Sequence, residues 1–175
     1  DRINLSFFVI DGHGGKTSGT QRFSLAPVND APFVAGSVQL GEMLEDGTFC
    51  ITANQLLKNA SDVDGDQLYV RDLVVTDGCG SLQVNSEDAW IFSPVPNWNG
   101  KVALSFRITD RFSNDKGQAL SVSASADLSV AAVNDLPELT GLKSLLANGL
   151  EDISYILKAE DLLQGWTDVD GDSLY

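Results

Sequence analysis

The chain has 175 residues, with 11 basic and 25 acidic side chains and a formal charge of −14; this balance argues against nucleic acid and anionic membranes as partners and for divalent cations. An apolar fraction of 43% excludes general disorder. No apolar run approaches the roughly 18 residues of a membrane span, so no direct membrane insertion is expected.

Asp1 to Leu5 reads as the entry to a strand rather than a targeting signal, and a longer parent chain is expected. The strand Leu5 to Ile10 runs into the turn Asp11-Gly12-His13-Gly14-Gly15. His13 is the sole histidine, and with no nucleophile or second imidazole beside it, it reads as a turn residue rather than a proton relay. Next comes the punctuation Pro27-Val28-Asn29-Asp30-Ala31-Pro32, which returns as Val133-Asn134-Asp135-Leu136-Pro137, 105 residues on from Asn29 to Asn134. The acidic loop Ser61-Asp62-Val63-Asp64-Gly65-Asp66-Gln67-Leu68-Tyr69 returns as Thr167-Asp168-Val169-Asp170-Gly171-Asp172-Ser173-Leu174-Tyr175, with Asp64 and Asp170 separated by 106. Leu5 to Asp11 and Leu104 to Asp110 are offset by 99, which places a longer turn at Arg111 to Gly117 in the second copy. The chain therefore parses as the C-terminal part of one repeat (1–29), a complete repeat (30–135) and the N-terminal part of the next (136–175).

Within the complete repeat, Val34 to Leu40, Thr48 to Ala53, Gln67 to Thr76, Ser81 to Val84, Ala89 to Ser93, Lys101 to Thr109 and Ala119 to Ala131 read as seven strands. Turn clusters separate them, and short strands with turns every 8 to 12 residues predict an all-β immunoglobulin-like sandwich. Asn54 to Asn59 and Glu160 to Gly165 read as one or two helical turns whose paired leucines cover a core edge. The expected core holds Phe49, Ile51, Leu68, Leu73, Val75, Leu82, Trp90 or Phe92, Trp98, Leu104, Phe106, Ile108, Leu128 and Val130, with Trp98 plugging one end. Cys50 and Cys79 are either joined or free, and their spacing fits no zinc or redox motif.

Three carboxylates at alternate positions of the acidic loop repel by roughly 3 to 4 kcal/mol per close pair at an effective dielectric near 20. A folded chain that gathers them is expected to hold a cation, and oxygen-only ligands without His or thiolate make calcium the first choice. An EF-hand is excluded, because counting from Asp62 the sixth and twelfth positions are Gln67 and Leu73 rather than Gly and Glu. A plain Asp/Gly turn is the bland alternative, and the intact repetition of three acids argues against it. Asp66 and Asp172 are weaker candidates, since the third acid also suits a turn cap.

Together, Val28-Asn29-Asp30-Ala31-Pro32, Leu44-Glu45-Asp46-Gly47-Thr48, Ile51 to Leu57, Asp62 to Asp66, Asn97-Trp98-Asn99-Gly100 and Ile108-Thr109-Asp110 resemble the bacterial cadherin-like tandem repeats of large surface adhesins, the RTX-type and "tandem-95" proteins. The resemblance spans the whole chain and implies cadherin-like sandwiches joined through shared calcium ions. Carried over from cadherins, it implies Asn29, Asp30, Asp62, Asp64 and Asp110 as ligands at the first junction. It implies Glu45, Asn134, Asp135, Asp168 and Asp170 at the second, with Asp11 serving a junction upstream. The cadherin acidic triplet before the sixth strand has no counterpart around Pro94 to Asn99, and Pro27 and Ala132 replace the leading linker aspartate, so one or two ions per junction are expected. The implied function is a calcium-stiffened, non-catalytic extender module at the cell surface that spaces a ligand-binding tip from the cell in adhesion or biofilm formation. Its direct partners would be neighbouring repeats, with any host or surface ligand bound elsewhere in the parent. A glycan- or peptide-gripping module and a non-catalytic accessory domain of a secreted enzyme are the alternatives.

Overall fold

Along Gly100–Thr109, Val102, Leu104, Phe106 and Ile108 are buried while Lys101 and Arg107 face water, the period-two pattern of a strand with one face on a core. A computed structural model of the chain describes residues 2–26, 28–110 and 118–175. The expected turn at Arg111 to Gly117 lies outside the described residues, as do Asp1 and Pro27.

The elements run β1 (Arg2–Ile10), β2 (Lys16–Ser24), β3 (Phe33–Val34), β4 (Val38–Leu44), β5 (Phe49–Thr52), α1 (Ala53–Leu56), β6 (Ala60–Ser61) and β7 (Tyr69–Asp77). They continue with β8 (Gly80–Ser86), β9 (Ala89–Pro94), β10 (Gly100–Thr109), β11 (Ser121–Ala131), β12 (Glu138–Leu139), α2 (Ala159–Leu163) and β13 (Trp166–Thr167). One sheet has the order β4, β11, β10, β7, and another the order β5, β9, β8. Their inner faces share one core: Ile51, Trp90 and Phe92 from the three-stranded sheet cluster with Val70, Val102, Leu104, Phe106, Ile108, Leu128 and Val130 from the other. The two sheets thus form the all-β sandwich expected of an immunoglobulin-like unit.

Several expectations are refined by this arrangement. The first expected strand, Val34 to Leu40, is two strands, because β3 pairs antiparallel with β6 while β4 runs parallel to β11 in the other sheet. A strand that changes sheets must break its ladder, and the Asn59 side-chain amide donates to the Ser37 carbonyl at 3.0 Å at that break. Trp90 and Phe92 are both buried, since residues two apart share one face of a strand. Phe49, Leu68, Leu73, Val75, Leu82 and Trp98 are only partly buried and pack around the core, whose centre also holds Val38, Met43, Leu56, Val70 and Val102. Trp98 is partly buried against the core; a Cβ at Gly100 (φ 146°) would lie 3.0 Å from its indole, in a backbone conformation that favours glycine. Cys50 and Cys79 are free and exposed, because β5 and β8 flank β9 on opposite sides.

Helix α1 begins at a capping box, Thr52 with Gln55, and buries Leu56. Its counterpart α2 has no side-chain cap and buries nothing, and its Leu162 is exposed. The difference follows from completeness. Residues 136–175 have the β12–β13 pair but no equivalents of β7 to β11, so their leucines meet no opposing sheet. The hairpin β1–β2 likewise carries exposed Phe7, Val9 and Ile10.

Candidate metal centres

The acidic loop is built on Asp62. Its Oδ1 accepts the Asp64 N–H at 2.9 Å and the Asp66 N–H at 3.3 Å, and its carbonyl accepts the Gly65 N–H. This is an Asx-type turn, closed by Gly65 at φ 77°. The turn occupies one carboxylate oxygen and leaves Asp62 Oδ2 buried without a donor. Asp64 Oδ2 reaches the linker and accepts the Asp30 N–H at 2.8 Å. The copy is bond for bond the same: Asp168 Oδ1 accepts from Asp170 at 3.0 Å and Asp172 at 3.3 Å, Gly171 sits at φ 80°, and Asp170 Oδ2 accepts the Asp135 N–H at 2.7 Å. Each loop is thereby tied to the linker that precedes its own unit.

At the first seam, Asp110 is only 2% exposed. Its Oδ1 accepts the Leu120 N–H at 2.9 Å and its Oδ2 accepts the Asn29 side-chain amide at 2.6 Å. Asn29 Oδ1 is left buried with no partner. The structure therefore joins Asn29 to Asp110 and Asp30 to Asp64, whose own N–H is held by Asp62. Asp11 occupies the matching place at the end of β1, where its Oδ1 accepts the N–H groups of His13 and Gly15, each at 2.8 Å. Those two donors, His13 first, hold its carboxyl below the ordinary aspartate range. His13 is an exposed member of this turn, as expected.

The second seam adds a contribution from the preceding unit. Glu45, just past β4 and 4% exposed, accepts the Val133 N–H at 2.6 Å with Oε1 and leaves Oε2 buried without a partner. Asp135 Oδ2 is buried and unpartnered too. One oxygen each of Glu45, Asp135 and Asp170 lie within 4.8 Å of one another, as do oxygens of Asp168, Asp170 and Asp172. Burial, followed by the charges of Asp170, Asp46, Glu45 and Asp168, pushes the Asp135 carboxyl above the ordinary aspartate range. The Asn134 side-chain amide donates to the Asp135 carbonyl at 2.8 Å.

Asp172, a weaker candidate in the sequence because its place in the turn also suits a cap, belongs to the second grouping. Asp46 stood outside the expected set. Asp46 at φ 61° accepts the Asn97 N–H at 2.9 Å and adds its charge to the field on Asp135. Its sequence signal was the run Leu44-Glu45-Asp46, which returns as Leu150-Glu151-Asp152; both aspartates have positive φ, 61° and 60°.

All four buried side-chain polar atoms without a hydrogen-bond partner among the described residues are oxygens: Asn29 Oδ1, Glu45 Oε2, Asp62 Oδ2 and Asp135 Oδ2. They fall two to a seam. Buried oxygens ordinarily find a donor, and acceptors gathered with like-charged neighbours fit a hard cation, which satisfies several oxygens at once. The residues present therefore fit calcium.

Residues 28–131 match the family model described as a cadherin-like domain. No curated protein matches the chain. Among solved structures, it is similar to the human mucin-like protocadherin EC1-2, at 18% identity and a TM-score of 0.45 over 75% of this chain and 69% of that one. It is also similar to a nucleoside hydrolase-related protein from Saccharophagus degradans associated with carbohydrate metabolism, at 18% identity and TM-score 0.41 over 59% of this chain. An endo-fucoidan hydrolase of glycoside hydrolase family 107 is similar at 19% identity and TM-score 0.35 over 74% of this chain. The chain spans 26% and 22% of the lengths of the last two.

Proposed function

We propose, from the premise that this chain belongs to the cadherin-like domain family, that it is a calcium-stiffened, non-catalytic extender module of a large bacterial cell-surface adhesin. Its partners are then the neighbouring repeats of its own chain, and its place is outside the cell, where it spaces a ligand-binding tip from the surface. The observation that carries this is the set of four unpartnered buried oxygens, two at each seam, in positions that a hard cation satisfies.

Consecutive sandwiches joined by a few linker residues swing unless something ties them. Glu45 from one unit, Asp135 from the linker and Asp168 and Asp170 from the next would hold an ion at the second seam; Asn29, Asp30, Asp62 and Asp64, with Asp110 fixing Asn29, would do so at the first. A bound calcium supplies the positive charge that these oxygens lack. The turns at Asp62 and Asp168 spend one oxygen on backbone donors and aim the other inward, so the ligands are arranged before an ion arrives. Because only the assembled seam offers all of them, binding stabilises it by mass action, about 1.4 kcal/mol at tenfold excess over Kd and about 2.7 at a hundredfold. Extracellular calcium modules bind at about 0.1 to 1 mM, so the joint stiffens outside the cell and slackens inside.

Small-angle scattering in calcium and in chelator tests this. A longer maximum dimension and a higher melting temperature in calcium are expected; identical profiles in both buffers would refute the proposal.

A further inference from the structure

Residues 1–26 run against the charge of the chain. They hold three of its 11 basic side chains and only two of its 25 acidic ones. The register of β1 and β2 gathers the three on one face: Arg2 pairs with Ser24, Asn4 with Arg22 and Ile10 with Lys16, so Arg2, Arg22 and Lys16 share a side with Phe8 and Ile10. Lys16 Nζ sits 3.7 Å from the centre of the Phe8 ring, and Phe8 and Ile10 are 61% and 64% exposed.

That side is the outer one. By the offset of 99 residues, Leu5, Phe7 and Val9 stand where Leu104, Phe106 and Ile108 fill the core, whereas Phe8 stands where Arg107 faces water. In the complete sandwich, β4 and β7 lie beside the β10–β11 pair and the second sheet lies across its inner side. The rest of such a unit therefore leaves the outer face of the pair open. Exposed apolar side chains ringed by polar ones mark interaction surfaces, and the cations around these call for an acidic partner.

The chain carries such a partner at the same sheet position one repeat on. Asp127 follows Arg22 by 105 residues, the separation of the two linkers. Asp77, Ala103 and Asp127 form a row across β7, β10 and β11, and the small alanine leaves a notch between two exposed carboxylates. A recess opens there, lined also by Gln39, Gly41 and Lys101. Asp127 Oδ2 accepts from Ser37 Oγ at 2.6 Å and Gln39 Nε2 at 2.9 Å, and Asp77 Oδ1 accepts the Gly78 N–H at 2.9 Å. Each carboxylate is thus oriented through one oxygen and can accept with the other. Their backbones stand about 10 Å apart, two strand spacings, and a guanidinium entering over Ala103 can donate to both sides.

We propose that the chain binds a second copy of itself, the outer face of β1–β2 in one copy docking on the outer face of β10–β11 in the other, with Arg22 in the notch between Asp77 and Asp127. Arg2, diagonal to Arg22 across the pair, adds to the attraction, and Lys101 at the rim opposes it. A face of two nine-residue strands is about 30 Å by 10 Å, which puts the contact in the small, transient class. Its two sides differ, so it need not stop at two copies. Side-by-side bundling of rods follows only on the extender reading; the contact itself uses no seam residue.

Sedimentation equilibrium of the chain, in calcium and in EDTA, provides the test. Self-association is expected in both buffers, weakening about tenfold or more as sodium chloride rises from about 20 to about 300 mM. Arg22→Asp should weaken it about tenfold or more, and Arg22→Asp combined with Asp127→Arg in one chain should recover most of the loss. Lys101→Ala should tighten it. A chain that stays monomeric at about 0.5 mM in low salt, or a combined variant no tighter than Arg22→Asp alone, would overturn the proposal. Association that holds or grows in salt would overturn it too, by assigning the contact to the apolar inner faces, and association in calcium alone would do so by making the ion the bridge.

Discussion

The two seams share a linker sequence and an acidic loop, and each is seen with a different neighbour whole: the first with the unit that follows it, the second with the unit that precedes it. At the first, every described ligand candidate comes from the linker or the unit that follows it, and the asparagine is engaged, with Asn29 clamped on Asp110. At the second, Glu45 reaches in from the preceding unit, Asp46 adds its charge, and the Asn134 amide donates to the Asp135 carbonyl. Both groupings of three closely spaced acids among the described residues lie at the second seam. On the proposed reading, linker and loop make half a site, and the unit upstream supplies the other half. A seam seen with its upstream unit intact shows the full negative charge that an ion must neutralise.

The largest effect is expected at Glu45. Glu45→Ala removes a buried ligand and strands the Val133 N–H, so about 1 to 3 kcal/mol should be lost even in chelator. In calcium the second seam should in addition lose its ion, while the first is untouched; a titration that still shows both binding steps would break the comparison. Next come the paired substitutions Asp64→Ala and Asp170→Ala. Each severs the bond from loop to linker at one seam alone. Each should therefore abolish one calorimetric binding step and leave the other, and loss of both steps from either variant would show that the seams act as one site.

The asparagines sharpen the contrast at smaller scale. Asn29→Ala should weaken calcium at its seam by about tenfold, the scale of one hydrogen bond to a charged group, because Asp110 loses its donor and the site loses Oδ1. Asn134→Ala should change affinity little, and equal losses would mean that Asn134 swings onto the ion. The smallest effect is one of pH. Because the folded-state pKa of Asp135 is raised, the folded chain binds that proton more readily than the unfolded one. In chelator, Asp135 should therefore make stability rise as pH falls through its raised pKa towards the ordinary value of 3.8. Asp135→Asn should remove that contribution, and an unchanged pH profile in the variant would place the crowding elsewhere.

Much of this was legible before any coordinates, and the exceptions have physical causes. The acidic loop could be read because its Asx turn is local: Asp62, Asp64, Gly65 and Asp66 fix one another within five residues. The core strands could be read because β10 and β11 alternate without interruption. That Asn29 is clamped by Asp110 could not be read, since the bond joins residues 81 positions apart in sequence. The division of β3 from β4 was hidden for a related reason: alternation reports which face of a strand is buried, and not which sheet the strand has joined. Asp46 was overlooked because its role depends on Asn97, about fifty positions away in sequence.

Anomalous diffraction from crystals grown in calcium tests the central claim most directly. It should show an ion at each seam about 2.3 to 2.6 Å from the oxygens now without partners, Glu45 Oε2 and Asp135 Oδ2 at one and Asn29 Oδ1 and Asp62 Oδ2 at the other. Seams without anomalous density, or an ion held elsewhere while these four oxygens stay unmatched, would contradict it.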